Sequence, residues 1–279
     1  MQNPNIPFAL PEWQALARET DLAMQLICSG ANEIGRADYT AHGRYATAQF
    51  GFSNGFERLG KIILTADSIL TRGHALSDEQ LRTKGHSLVR ILGEVEEVAN
   101  RHELDLKHSR PTAEIAMSVL NCLDDFAAAS RGRYANHDSL RGSQSPHEPV
   151  RKWWNNVSEP ILVEHFRGTK REAQARQESN MVGSILEQFS VTLHFHEDGS
   201  VVTNPARASF MTHERVVTQR WGRLYALQHA RWMSDLFAEL TRLPGYAQGT
   251  EILFGHYERL ATFRVSDEFL LTRKTWPLG

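Results

Sequence analysis

Cysteine is scarce in this sequence, and long apolar runs are absent. The 279 residues include two cysteines, Cys28 and Cys122, far apart inside apolar-periodic segments. Their spacing fits neither a disulfide framework nor a zinc motif, so we expect two buried thiols in a reducing compartment. No apolar run approaches the ~18 residues that a membrane span needs, and the first residues lack the basic-then-apolar profile of a signal peptide. The sequence predicts a cytoplasmic protein with no membrane association.

A strong net charge is also missing. The formal net charge is −2, so no global field indicates binding to nucleic acid or membrane, and any basic site must be local. Hydrophobic residues make up 41% of the chain and charged residues 23%, which is typical of a globular protein. The length suits one large domain or two small ones.

Common nucleotide-binding and hydrolytic motifs are absent as well. We find no dinucleotide-type or Walker-type glycine motif, no GxSxG and no HExxH, and we expect no cofactor. His194 and His196 would share one face of a strand and, with His165 or His213, could bind a metal. Two histidines without a carboxylate or cysteine motif are more typical of a plain hairpin, so we predict no metal site.

Apolar periodicity predicts that most of the chain is helical. The first helix runs from Pro11 to about Ile34, and the second ends at Arg72-Gly73. Glycines inside a helix cost about 1 kcal/mol each relative to alanine. Those at positions 51, 55 and 60 therefore indicate close approach of another backbone. The apolar stripe of the second helix is Phe52, Phe56, Leu59, Ile63, Ala66 and Leu70.

Two further helices complete the first part of the chain. The third begins near Ser77, an N-cap with Gln80 at N3, and Pro111 opens the fourth, which runs into Ser130–Leu140. We predict that the stripes of the second, third and fourth helices pack against one another within one four-helix core. The third stripe is Leu88, Ile91, Leu92, Val95 and Val98, and the fourth is Ile115, Val119, Leu123 and Phe126.

The segment Gly142–Pro149 is rich in Gly, Ser and Pro and predicts a boundary between a helical domain at 1–142 and a second helical region at 143–279. After it, two helices precede a β-hairpin near 190–203. Alternating residues flank Asp198-Gly199, which predicts strands within Val191–Val202 joined by a type I′ turn. A long helix from about His213 to Arg242 follows. The predicted fold is mainly α with one small β-hairpin.

Two features of the second region have two interpretations each, a structural role or binding to nucleic acid. Trp153, Trp154 and Trp221 would be able to stack on bases, although tryptophan is more often a large core residue. The basic run "RGTKREAQAR" at 167–176 is typical of a solvated helix face. Alternatively, it would contact phosphates of a nucleic acid.

The stretch "SRGRYANHDSL" at 130–140 carries the clearest candidate for chemistry. RNA is cut without metal when one group takes the 2′-hydroxyl proton and another stabilises the charge at phosphorus. Histidine suits the first task, with an unperturbed pKa of about 6.5, and arginine the second. Arg131, Arg133, Asn136 and His137 supply these groups. Arg133 and His137 share a helical face, whereas Arg131 and His137 would diverge by about 120° on an ideal helix. The alternative is a solvated helix end.

Three segments in order resemble the HEPN superfamily of helical RNases and nucleotide-binding modules. They are "AQFGFSNGFERLGKIILTADSIL" at 48–70, "KGHSLVRIL" at 84–92 and "RGRYANH" at 131–137. The resemblance covers roughly residues 38–140. The family's last helix carries an arginine followed four to six residues later by a histidine, and five residues separate Arg131 from His137.

The resemblance implies an up-down helical bundle, here with a helical C-terminal extension. It also implies a homodimer, because the family's two Arg/His sets meet across a helical interface. The implied activity is a metal-independent endoribonuclease acting as a stress or phage-defence toxin or effector, with RNA as substrate and a regulatory or antitoxin protein as a further partner. Arg131 and His137 would be catalytic, and Arg133 and Asn136 would bind the RNA.

The sequence departs from the family pattern directly after the arginine. Active members usually have a polar residue there, and this chain has Gly132. The alternative function is therefore a non-catalytic HEPN-like module that binds a nucleotide, RNA or a partner protein.

Overall fold

The computed structural model describes residues 7–128, 137, 140–142, 145, 147–190, 192–243 and 250–278. Helices dominate these residues, and one two-stranded antiparallel sheet accompanies them, so the predicted mainly-α fold with a small β-hairpin is confirmed. None of the helices described is long and apolar enough to cross a membrane.

The described elements follow the chain in this order. The α-helices are α1 (Pro11–Ile34), α2 (Gly43–Arg72), α3 (Asp78–Thr83), α4 (Leu88–Arg101), α5 (Glu114–Ala127), α6 (Pro149–Trp153), α7 (Glu159–His165), α8 (Lys170–Leu186), α9 (Pro205–Arg242) and α10 (Asp267–Thr272). A π-helical turn (Trp154–Ser158) joins α6 to α7. The strands are β1 (His194–Phe195) and β2 (Val201–Val202). Short 3₁₀ turns are Pro7–Ala9, Glu251–Leu253, His256–Glu258 and Ala261–Phe263.

The α1–α2 pair is packed backbone against backbone. A Cβ added at Gly51 would lie 2.8 Å from the Leu26 carbonyl oxygen and 2.9 Å from the Gly30 nitrogen. One at Gly55 would lie 3.1 Å from the Ile27 nitrogen and 3.2 Å from the Ala23 carbonyl oxygen. The predicted close approach is therefore confirmed at these two glycines, with α1 as the partner. At Gly60 the close neighbour is a side chain, that of Ile91.

Helices α2, α4 and α5 pack against one another through the predicted stripes. Phe126 is buried in the structure, and Leu70 is half-buried against the core. The remaining members form part of one hydrophobic core: Phe52, Phe56, Leu59, Ile63, Ala66, Leu88, Ile91, Leu92, Val95, Val98, Ile115, Val119 and Leu123. The predicted packing of these three stripes is confirmed.

The third predicted helix is two helices in the structure. Ser77 does cap α3, with reciprocal bonds to Gln80, but α3 ends at Thr83 and α4 begins at Leu88. Gly85 between them has a φ of 65°, a left-handed conformation that ends a helix readily. Ser87 then caps α4 by accepting from the Arg90 N–H. The prediction of one continuous helix was wrong because the apolar stripe does not reveal this break.

The fourth predicted helix starts later and ends earlier than expected. Pro111 is not helical, and α5 begins at Glu114. At its other end α5 stops at Ala127, and Ala128 has extended backbone, with ψ of 103°. Because Ala128 leaves the helical conformation, α5 ends before the stretch that begins at Ser130. The predicted helical continuation into the motif is therefore wrong.

The hairpin forms with a different turn from the one predicted. His194 pairs with Val202 and Phe195 with Val201, so the strands are shorter than Val191–Val202. The Gly199 N–H donates to the His196 carbonyl at 2.9 Å, and of the two predicted turn residues only Gly199 has a positive φ, at 89°. This is a three-residue loop with glycine in the left-handed position, not a type I′ turn. Asp198 instead caps the turn by accepting from the Ser200 N–H.

Helix α9 belongs to the second predicted region and contacts the first. His229, fully buried on α9, donates through Nε2 to the Ala116 carbonyl of α5 at 2.9 Å. Asp235 accepts from the His108 backbone at 3.0 Å and pairs with its ring. The helix begins at Pro205, earlier than predicted, because Asn204 caps it by accepting from the Arg207 N–H. The hydrophobic core includes residues from both sides of position 142, while the proposed boundary itself stays a prediction.

The last described residues close over α1. Asn32 donates through Nδ2 to the Trp276 carbonyl at 2.9 Å, and its Oδ1 accepts from the Trp276 N–H at 2.7 Å. Trp13 donates to the Phe254 carbonyl, and Arg259 pairs with Asp21. These contacts fix the tail after α9 to the first helix.

Candidate functional site: the predicted motif and an arginine cleft

Three of the four predicted site residues lie outside the described part of the chain. These are Arg131, Arg133 and Asn136. His137 is described and is exposed. It follows the end of α5, where an imidazole is accessible to a large substrate.

The first two segments of the family resemblance contact each other directly. Glu57 of α2 pairs with Lys61 at 2.7 Å, and the His86 ring lies 3.0 Å from the same Glu57 oxygen. Ser53, also on α2, donates to the Leu123 carbonyl of α5 at 3.1 Å. Glu57 and Lys61 of "SNGFERLGK" thus meet His86 of "KGH", whereas Lys84 pairs with Glu94 and Arg58 with Glu19.

The four histidines weighed as metal ligands have separate surroundings. His165 stacks on Trp221, with ring centroids 3.5 Å apart, and lies 2.9 Å from the Tyr225 hydroxyl. His194 meets Tyr39 edge to face, and His213 faces Glu178. His196 is buried against Trp154. In the part of the chain that the structure describes, no three His, Cys, Asp or Glu residues form a group able to hold a metal.

Two of the three tryptophans considered for base stacking are core residues. Trp153 is 1% exposed and Trp154 is 8% exposed, because the π-helical turn after α6 directs both rings inward. Trp221 is half-buried under His165. The structural interpretation holds for Trp153 and Trp154, which are not available to stack on RNA.

The basic run at 167–176 contributes to a concave site that we call the arginine cleft. The cleft lies between α8 and α9, encloses about 660 Å³, and is defined by Arg167, Arg176 and Arg207. The other residues that line it are Ser179, Asn180, Gly183, Ser184, Glu187, Asn204, Ala206 and Phe210. The guanidinium of Arg176 lies 4.7 Å from the centre of the Phe210 ring and that of Arg207 5.7 Å from it.

Buried carboxylates hold these arginines in place. Glu214, with a side chain 2% exposed, pairs with Arg167 at 2.8 Å and Arg207 at 2.7 Å. Glu172 pairs with Arg176 at 2.7 Å. The hydrogen bond from the Gly168 N–H, with that from Arg176, lowers the pKa of Glu172. Its carboxylate is therefore held in the charged form that fixes the arginine.

A close helix contact shapes the back of the cleft. A Cβ added at Gly183 of α8 would lie 2.7 Å from the Ala206 Cβ of α9. At one end of the cleft, Asn204 donates to Glu187 at 3.1 Å while it caps α9. Two small residues at one crossing thus bring the two helices together where the arginines lie.

Sequence reasoning noticed the basic run but missed Arg207 and Glu214. Arg207 and Glu214 are seven residues apart. This separation puts both on one face of a helix and would have indicated an ion pair. The contribution of a second helix to the cleft required the fold.

In comparisons with protein-family models, with curated proteins and with solved structures, nothing matched this chain.

Proposed function

We propose that the protein is a HEPN-like, metal-independent endoribonuclease. The observation that supports this best is the meeting of the first two resembling segments at Glu57 and His86, on the bundle whose helix α5 leads to the motif. Helices α2, α4 and α5 supply the bundle that the resemblance implies. His137 is exposed after that bundle, as a group that must reach RNA needs to be.

The proposed reaction is a transesterification within the RNA. His137 accepts the 2′-hydroxyl proton, and the 2′-oxygen forms a bond to the adjacent phosphorus. The bond from phosphorus to the 5′-oxygen breaks, that oxygen takes a proton from solvent, and His137 returns its own proton to solvent. Arg131 stabilises the negative charge at phosphorus with its planar fork, while Arg133 and Asn136 orient the RNA. The products are a 2′,3′-cyclic phosphate and a 5′-hydroxyl.

The proposal includes a setting and partners. We propose that the protein acts in the cytoplasm, a reducing compartment in which buried thiols persist; Cys28 and Cys122 are both free and buried. The resemblance also leads us to propose a homodimer, and regulation by an antitoxin or other partner in stress or phage defence. Light scattering on the purified protein tests the dimer.

Cleavage of RNA in the presence of EDTA tests the activity. Purified protein is incubated with total RNA, and the products are separated on a denaturing gel. His137→Ala should reduce cleavage by about 10²–10⁴-fold, because it removes the proton-transfer group. Arg131→Lys keeps the charge but loses the fork and should also reduce cleavage strongly. Arg133→Ala should act more mildly, through salt-dependent RNA binding.

Circular dichroism on each variant shows whether it is folded. Cleavage at the wild-type rate by a folded His137→Ala protein would overturn the catalytic role. The rival function, a non-catalytic module, is favoured by Gly132 after Arg131. RNA that is bound by the wild type but stays intact with and without added Mg²⁺ would support that rival.

A further inference from the structure

The arginine cleft lies outside the residues that carry the family resemblance, and nothing in the proposed cleavage reaction uses it. Its three arginines come from three places: Arg167 from the loop after α7, Arg176 from α8 and Arg207 from α9. Convergence of three guanidinium groups on one concavity is unusual for a solvated surface, because like charges repel. A bound anion removes that repulsion.

The carboxylates that pair with the arginines lie behind them, and Arg176 reaches outward; Glu187 is an exposed carboxylate on the lining. The side chain of Glu214 is 2% exposed and that of Glu172 is 11% exposed, whereas that of Arg176 is 60% exposed. Glu214 is shared by Arg167 and Arg207, and Arg167 also lies 3.6 Å from Glu159 and 3.7 Å from Glu172. The buried acids therefore orient the guanidinium groups, and the exposed Arg176 presents its charge to the cleft.

A buried hydroxyl provides a second, independent observation. Ser179 is 2% exposed and lines the cleft, and its Oγ has no hydrogen-bond partner within the described part of the chain. A buried polar group left without a partner costs about 1–3 kcal/mol. An oxygen of a ligand seated in the cleft would accept from this hydroxyl.

We propose that the arginine cleft binds a phosphorylated small molecule of nucleotide size. Guanidinium groups bind phosphate oxygens in pairs of parallel hydrogen bonds, and no other common side chain does so. A volume of about 660 Å³ lies within the range of small-molecule sites. The amide of Asn180 lines the same cleft and offers donors and an acceptor to the rest of the ligand.

Isothermal titration of the full chain with ATP, and separately with inorganic pyrophosphate, tests the proposal. We expect saturable binding of ATP that weakens as salt is raised. Arg176→Gln should weaken it by about tenfold or more, since the loss of a charged bidentate contact is worth at least about 1.4 kcal/mol. Arg171→Gln is the matched control, because Arg171 is exposed on the same helix but does not line the cleft. It should change the affinity less than about twofold.

Ser179→Ala supplies a second variant. It should weaken ATP binding severalfold while the circular dichroism spectrum and melting temperature stay close to those of the wild type. Titration of the His137→Ala protein should give the wild-type affinity, which separates this site from the proposed cleavage site. Binding that Arg176→Gln leaves unchanged, or no binding of ATP and pyrophosphate by folded protein, would overturn the proposal. So would binding of a single-stranded RNA decamer at the cleft without binding of ATP.

Discussion

At the scale of single residues, Glu197 is the carboxyl group whose surroundings change its chemistry most clearly. It is buried at the hairpin loop, where its Oε1 accepts from the Tyr45 hydroxyl at 3.0 Å. Burial raises the pKa of Glu197 from 4.5 to about 7, and the charges of Asp38 and Asp198 add to the rise. Between pH 4.5 and about 7, the folded protein therefore holds a proton on Glu197 that the unfolded chain releases.

Glu197→Gln should make the protein less sensitive to rising pH. Because the folded-state pKa is raised, the contribution of Glu197 is fully present below pH ~4.5 and is lost as pH rises through ~7. Glutamine keeps an acceptor for Tyr45 and carries no charge. Relative to wild type, the variant should gain about 1–3 kcal/mol in free energy of unfolding between pH 5 and pH 8, since one pKa unit is worth about 1.4 kcal/mol.

Urea denaturation of both proteins at the two pH values measures this difference. Burial also lowers the pKa of His229 to about 4, which acts in the opposite direction, with stability lost as pH falls from 6.5. That contribution is common to the two proteins and cancels. An equal stability difference at pH 5 and pH 8 would contradict the assignment to Glu197.

Local residue chemistry was predictable where it depends on a few neighbours along the chain. The cap formed by Ser77 and the helix end at Gly73, with φ of 76°, are both as the sequence indicated. Glu197 was not singled out, because its burial depends on Tyr45, which is distant in sequence. Ionisation in the interior is set by the assembled fold, and residue spacing does not encode it.

At the scale of elements, the crossing of α1 and α2 depends on glycine. Gly51→Ala should destabilise the protein by about 1–3 kcal/mol, because the added methyl would overlap the backbone of α1 at Leu26 and Gly30. This outweighs the gain of about 1 kcal/mol that alanine brings to a helix. Chemical denaturation followed by circular dichroism measures the effect.

Gly93→Ala is the matched control for that substitution. Gly93 also lies inside a helix, α4, but a Cβ there would meet no atom within 4 Å. We expect a neutral or stabilising effect of up to about 1 kcal/mol. If the two alanine variants have the same stability, packing is not the reason for glycine at position 51.

Elements with long apolar stripes were predictable, and breaks in helical structure were not. The ends of α1 and the end of α2 match the expectation because periodicity stops there. Gly85 lies between the Ser77 cap and Leu88, the first residue of the third stripe, so the stripe carries no sign of the break and the sequence suggested one helix where there are two. In the hairpin, the position of the turn followed from Asp198-Gly199, but the three-residue loop is closed by the hydrogen bond from the His196 N–H to the Ser200 carbonyl.

At the scale of the whole molecule, we expect a single unfolding transition. Helix α9 is buried against α1, α2 and α5 of the first region as well as α7 and α8 of the second. Five of the six tryptophans lie after residue 142, so their fluorescence reports mainly on the second region, whereas circular dichroism reports on all helices. Coincident transitions by the two probes in urea are expected. Two separated transitions would show that 1–142 and 143–279 fold as independent domains.

The arginine cleft shows why the candidate site was only partly predictable. Its basic run was visible in the sequence, but Arg207 and Ser179 reach it from two helices that cross at Gly183 and Ala206. Which helices cross, and where, follows from the packing of the entire chain. A site made at such a crossing is seen only when the fold is known.

The reciprocal bonds between Asn32 and Trp276 have a consequence for the order of events during synthesis. The two residues are 244 positions apart, and Trp13 and Phe254, which also bond, are 241 apart. Contacts between residues so far apart in sequence slow folding. While the chain is being translated, α1 leaves the ribosome before α2–α10 but lacks these partners until Phe254 and Trp276 have emerged. Helix α1 therefore completes its native set of hydrogen bonds only after every other described helix has been made.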